Sequence, residues 1–150
     1  VAVLSGLMPA LRGLLGARGR TRAEAERALG RAGERAAARM LRRAGYRVIG
    51  RNVRCRAGEA DIVCIAPDRR TVVVVEVKTR RATGGGPPPE ANVHARKRAK
   101  LLAVTRYLAR ANRWEGRPVR IDVVAVEWPA EGARGRPVLR HHVGAVRSRW

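Results

Sequence analysis

Two short runs hold groups that could act together on a phosphate ester: Glu59-Ala60-Asp61 and Glu76-Val77-Lys78. Both lie in β-branched, apolar stretches, and Pro67-Asp68-Arg69-Arg70 between them has the composition of a tight turn. A hairpin centred between Asp68 and Arg69 sets Ile65 against Val72, Val63 against Val74, Asp61 against Glu76 and Glu59 against Lys78. Side chains alternate with period two, so this pairing gathers Glu59, Asp61, Glu76 and Lys78 on one face. Carboxylates opposite each other repel, and the arrangement persists when a cation lies between them. Mg²⁺ suits the position, because it needs only one or two carboxylates and completes its shell with water and phosphate oxygens. Lys78 falls about 6.6 Å beyond Glu76 along the strand. There it could orient an attacking water or offset charge on a phosphoryl group in transfer. The plainer alternative is that arginines neutralise both acids and Lys78 is a solvated strand end.

Scarcity gives these residues weight. The chain has 150 residues, with Lys plus Arg at 33, Asp plus Glu at 12 and a formal net charge of +21. Only three of the 33 cations are lysines (Lys78, Lys97, Lys100), and only three residues are aspartates, yet Asp61 and Asp122 sit inside apolar strands. The arginine excess and the absence of Phe carry the stamp of GC-rich coding, so part of the +21 is compositional background. What remains still points to a polyanionic partner. No apolar run approaches a membrane span, and Arg12 interrupts the apolar start of the chain with no basic stretch before it. Cys55 and Cys64 lack any CxxC spacing, which fits reduced thiols in a cytoplasmic protein better than a disulfide or zinc site.

Pattern and punctuation divide the chain into an extension over 1–29, expected to be poorly ordered, and one domain over 30–150. A helix is predicted over 31–44, stopped by Gly45, followed by strands over 46–55, 59–66 and 71–78. Three glycines and three prolines make 79–91 a loop. A helix over 93–111 then leads to a strand over 118–128, and 137–146 could add an edge strand. The order is helix, three strands, helix, strand: an α/β domain with a mixed four-stranded sheet flanked by helices.

The residues Gly58-Glu59-Ala60-Asp61 followed by Glu76-Val77-Lys78 resemble the D…ExK core of the restriction-endonuclease-like, PD-(D/E)xK, nucleases. With Gly33-Glu34, Gly45-Tyr46, Arg51-Asn52-Val53-Arg54, Arg80, Lys97, Ile121-Asp122-Val123-Val124 and His142 to Ala145, the wider pattern over 30–146 resembles the YraN-like family of small bacterial proteins. That family is similar in fold to Holliday-junction resolvases. The resemblance implies an αβββαβ core and an endonuclease site hydrolysing branched or structured DNA with Mg²⁺ or Mn²⁺. Asp61 and Glu76 would hold the metal, and Asp61, Glu76, Lys78 and Glu34 would form the catalytic set. Glu34 has a competing reading as a carboxylate serving its helix's first turn. Resolvases of this fold usually act as dimers, so a homodimer is the implied assembly. A large aliphatic residue usually stands where Ala60 is.

Arg80, Arg81, Lys97 and Lys100 are the expected DNA contacts, with Arg96 and Arg98 beside them; guanidinium and ammonium groups here suit backbone phosphates. Lys97 also shares the stripe of Leu101, Val104 and Leu108, which aims it toward the site. Asp122 reads as a structural acid, and His94, His141 and His142 as packing or surface residues. Two rival functions remain: a nuclease fold that holds nucleic acid without cutting it, and a small basic RNA- or ribosome-associated protein. The lack of Phe and the presence of only two tyrosines disfavour a base-stacking platform.

Overall fold

The computed structural model describes residues 21–82 and 95–146. Helix α1 (Arg22–Arg43) leads into strands β1 (Arg47–Cys55), β2 (Gly58–Ile65) and β3 (Val72–Arg81). Helix α2 (Ala95–Ala111), β4 (Val119–Trp128) and β5 (Val138–Val146) complete the order. The strands lie side by side in chain order. All neighbours are antiparallel except β3 and β4, whose parallel pairing requires the crossover through α2. The expected αβββαβ core is present, and β5 widens the sheet from four strands to five.

Helix α1 begins nine residues before the expected start at residue 31. Thr21 starts it through a reciprocal cap: its Oγ1 accepts from the Glu24 N–H, and the Glu24 carboxylate accepts from the Thr21 N–H at 2.8 Å. Residues 22–29, read from sequence as extension, are therefore part of α1, whereas 1–20 lie outside the described residues. Gly33 is not a boundary but a contact. A Cβ there would overlap the side chain of Thr79 on β3, so the glycine lets α1 press onto the sheet. Strand β3 also runs to Arg81, three residues into the expected loop over 79–91; residues 83–94, with the rest of that loop and His94, lie outside the described residues.

The two sheet faces carry separate cores. Ala36, Ala37, Ala38 and Leu41 of α1 pack on Ile62, Cys64, Val73, Val75, Val124 and Val126. Val104 and Leu108 of α2 pack on Ala60, Val63, Ile65, Val72 and Val74, while Leu101 meets Ile121 and Val146. Burial on both sides explains why β3 and β4 read as unbroken valine-rich runs rather than alternating ones. Strand β2 contains an irregularity. Ala60 belongs to the α2 core and Ile62 to the α1 core, although residues two apart should share a face. The side-chain phase thus inverts at Asp61. On β1, Asn52 between the Arg51–Ile62 and Val53–Ala60 pairs has a left-handed φ of 49°.

Candidate functional site

The β2–β3 register follows the hairpin expected from the turn, with Ile65 on Val72, Cys64 on Val73, Val63 on Val74 and Ile62 on Val75. There the ladder ends. Where a backbone bond would follow, Asp61 Oδ2 accepts the Val77 N–H at 2.7 Å. A strand N–H points along the sheet, so the Asp61 carboxylate lies in the fork between β2 and β3, not on either face. This corrects the expectation that Asp61 and Glu76 stand opposite each other on one face. It also separates Glu59 from Lys78: Glu59 turns outward to Arg54, 3.3 Å away on the exposed surface.

Glu76 follows Val72 and Val74 onto the α2 side and is only 4 % exposed. Its Oε1 takes two ammonium groups, Lys97 Nζ at 2.8 Å and Lys78 Nζ at 3.1 Å. Lysines therefore neutralise this acid, not the arginines of the plainer reading. Asp61 has no cation within ion-pair distance among the described residues. Burial first, then the charge of Glu76, pushes its pKa up to about 6 against the pull of the Val77 N–H; Glu34 adds to the rise and Lys97 opposes it. Glu34 approaches from α1, on the other side of the sheet, and sits 4.0 Å from Arg51.

The remaining expected residues are more scattered. Arg80 is bound to Glu127 on β4 through its Nε at 2.8 Å and through Nη2. Arg81 is exposed and donates to the Pro129 carbonyl at 3.4 Å. Lys100 is exposed one turn along α2 from Lys97, and its stem lies against Gly58.

The donor chemistry at the fork suits a hard divalent cation. Two carboxylates, Asp61 and Glu76, sense each other's charge, and Asp61 has no cation within ion-pair distance among the described residues. Among the described residues no three His, Cys, Asp or Glu side chains gather into a metal cluster. Two carboxylates remain within the number that Mg²⁺ accepts.

A second buried acid lies on the α1 side. Asp122 is fully buried and fully partnered. Arg120 Nε and Nη2 donate to its two oxygens at 2.8 and 3.0 Å, His141 Nε2 lies 2.8 Å from Oδ2, and the Gly144 N–H donates at 2.9 Å. Arg120 also donates to the Tyr46 hydroxyl at 3.0 Å, and the Tyr46 ring meets His141 edge-on. Burial raises the Asp122 pKa, but the bonds from His141, Arg120 and Gly144 outweigh it and hold the carboxyl below the usual range. Sequence reasoning found the acid and missed Arg120, Tyr46 and His141. The available signal was Arg120-Ile121-Asp122, a cation and an acid on one face of an apolar strand.

Comparison with protein-family models matches residues 33–126 to the family described as "Uncharacterised protein family UPF0102". A UPF0102 protein of Symbiobacterium thermophilum is 48 % identical over 106 residues, covering 71 % of this chain and 87 % of that one. One from Clavibacter michiganensis is 44 % identical over 115 residues, covering 77 % of this chain and 95 % of that one. The chain belongs to this family, the YraN-like family of the sequence pattern. Among solved structures, a repair endonuclease from Pyrococcus abyssi overlaps 76 % of this chain and 41 % of its own length, with a TM-score of 0.37 and 21 % identity. Among the described residues no helix is long and apolar enough to cross a membrane.

Proposed function

We propose that this chain is a divalent-metal-dependent endonuclease that hydrolyses phosphodiester bonds in branched or structured DNA. The observation that carries this reading is the fork: the β2–β3 ladder stops so that Asp61, Glu76, Lys78 and Lys97 meet at one point. Asp61 and Glu76 are the residues that would hold Mg²⁺ or Mn²⁺. Such an ion supplies polarisation of a phosphoryl oxygen and a more acidic water. The protein's own groups do the rest. The Val77 N–H fixes the Asp61 carboxylate, and Glu76 holds two ammonium groups beside the place where a phosphate would sit. A lysine released from Glu76 can offset charge on the phosphoryl oxygens during transfer. Arg81 and Lys100, both exposed, suit backbone phosphates near the site.

The test is cleavage of junction, flap and linear DNA with Mg²⁺, Mn²⁺ or chelator. Cleavage that needs metal, and a hundred- to thousandfold lower rate in Lys78→Met at near-unchanged binding, is the expected result. One observation favours a second reading, a module that binds nucleic acid without cutting it. Both lysines are already engaged by Glu76, which leaves that carboxylate neutralised without a metal. Tight DNA binding with no cleavage of any substrate in either metal would establish that reading instead.

A further inference from the structure

Beyond its second turn, helix α1 exposes five positions, and all five are arginine: Arg31, Arg35, Arg39, Arg42 and Arg43. The opposite side of this stretch, with Gly33, Ala36, Ala37 and Leu41, is buried on the sheet. At 3.6 residues per turn the five side chains fall within about a third of the helix circumference. Compositional background does not account for the row. Helix α2 is drawn from the same arginine-rich chain, yet it exposes Ala99, Ala103 and Ala111 between its cations.

Nor does the row serve the helix. Arg31 with Arg35, Arg35 with Arg39 and Arg39 with Arg43 are like charges four residues apart, a spacing at which they repel. The first turn of α1 shows the stabilising alternative, Arg22 with Glu26 at 3.0 Å. Among the described residues none of the five guanidinium groups has an ion-pair or hydrogen-bond partner. Glu34, the acid beside them in sequence, turns to Arg51 at 4.0 Å. Of the residues not described, 1–20 and 147–150 contain no Asp or Glu, and 83–94 contain only Glu90. Those segments can therefore bring at most one carboxylate to five cations.

Spacing selects the kind of anion that completes the row. From Arg31 to Arg43 the helix rises about 18 Å, which sets its cations at about one per 4 Å. Phosphates of one duplex strand follow at about 3.4 Å along the axis. Guanidinium groups also take phosphate in a planar, two-point mode. A membrane surface is the poorer match, because a helix lying on lipid inserts an apolar face and that of α1 is spent on the sheet.

We propose that the arginine row of α1 is a second nucleic-acid surface, which holds the sugar–phosphate backbone of one duplex arm. This rests on the reading of the chain as a protein that handles branched DNA, and adds how two arms are held. The charge of Glu34 reaches Asp61, so the row begins beside the fork. Lys97 reaches the same fork from α2, on the other face of the sheet. An arm along α1 and an arm along α2 leave the fork on opposite faces, with the branch point between them.

The experiment measures the affinity of the full chain for a four-way DNA junction in chelator, across a salt series. Wild type is compared with Arg35→Gln plus Arg39→Gln, with Arg35→Lys plus Arg39→Lys, and with a control. The control, Arg134→Gln plus Arg136→Gln, changes two exposed arginines between β4 and β5. Loss of two phosphate contacts flattens the log–log salt slope by about 1.8. Between about 50 and 200 mM salt the affinity gap between wild type and the glutamine variant should therefore narrow about twelvefold. The lysine variant keeps the charge and should keep the slope, as should the control. With repulsion relieved, the glutamine variant should resist urea at least as well as wild type, which separates weaker binding from unfolding. A wild-type slope in the glutamine variant, or an equal change in the control, overturns the surface while leaving the fork and its cleavage test in place. Lost binding to anionic phospholipid vesicles with an unchanged junction slope would assign the row to a membrane instead. Failure of wild type to bind the junction at low salt removes both readings.

Discussion

Asp61 and Asp122 are both aspartates inside apolar strands, and the fold treats them in opposite ways. Asp122 is wrapped by a guanidinium, an imidazole and a backbone N–H, and its charge is favoured despite complete burial. Asp61 receives one backbone N–H, feels the charge of Glu76, and resists ionisation up to about 6. The first acid ties β4, β5 and the start of β1 together. The second carries a cost for its charge in the folded state, which a proton or a bound cation relieves. Burial of a carboxylate therefore does not mark function by itself; the missing partner does.

That contrast can be broken by mutation, beginning with the larger effect. Asp122→Ala leaves Arg120 and His141 facing an empty site, and removing one partner of a buried pair costs about 3–5 kcal/mol. Equilibrium urea unfolding should show that loss, and a change below about 1 kcal/mol would mean that the network contributes little. Asp61→Asn should act with the opposite sign. Its unfolded-state pKa is the ordinary 3.8 and its folded value about 6, so the folded protein holds an extra proton between those values. Stability therefore falls as pH rises from about 4 to about 6 and stays lower above that. The asparagine keeps the oxygen that accepts from Val77 and abolishes this dependence. It should gain at most about 3 kcal/mol over wild type at pH 8 and nothing below pH 4. A variant less stable than wild type at pH 8 would show that the Asp61 charge is favourable after all.

Metal addition sharpens the comparison at a smaller scale. At Mg²⁺ ten times its dissociation constant, wild type should gain about 1.4 kcal/mol, a few degrees in melting temperature. Asp61→Asn should lose that gain, and identical increments in both proteins would place any metal elsewhere. The smallest effect is expected at the edge of the site. Arg51 lies 4.0 Å from Glu34 on a partly exposed surface, so Arg51→Gln should change stability by less than about 1 kcal/mol.

The sequence carried the hairpin well, because a polar turn between two β-branched runs leaves few registers that bury both. It carried the order of elements for the same reason, each being set by local periodicity and punctuation. The start of α1 was also written locally, in Thr21 and Glu24, but the glycines at 30 and 33 obscured it. Gly33 is explained by Thr79, a partner on another element that no local pattern announces. The phase inversion at Asp61 was hidden for a similar reason. Asn52, not a glycine, adopts the left-handed conformation on the neighbouring strand, and period-two counting assumes that no such residue intervenes. The Asp122 network depends on β5 pairing beside β4, so His141 became visible only in three dimensions.

The bond from the Val77 N–H to Asp61 makes one backbone amide a reporter on the fork. Its neighbours on the ladder are held by carbonyls whose acceptor strength does not titrate, whereas this proton is held by a carboxylate that does. Across pH 5 to 7 the Val77 amide should shift in ¹⁵N–¹H spectra with the midpoint of Asp61, while Val75, paired with Ile62, stays still. Its exchange with solvent deuterium would likewise follow occupancy of the carboxylate by proton or cation. Charge at the fork could then be followed without a nucleic-acid substrate or a cleavage assay.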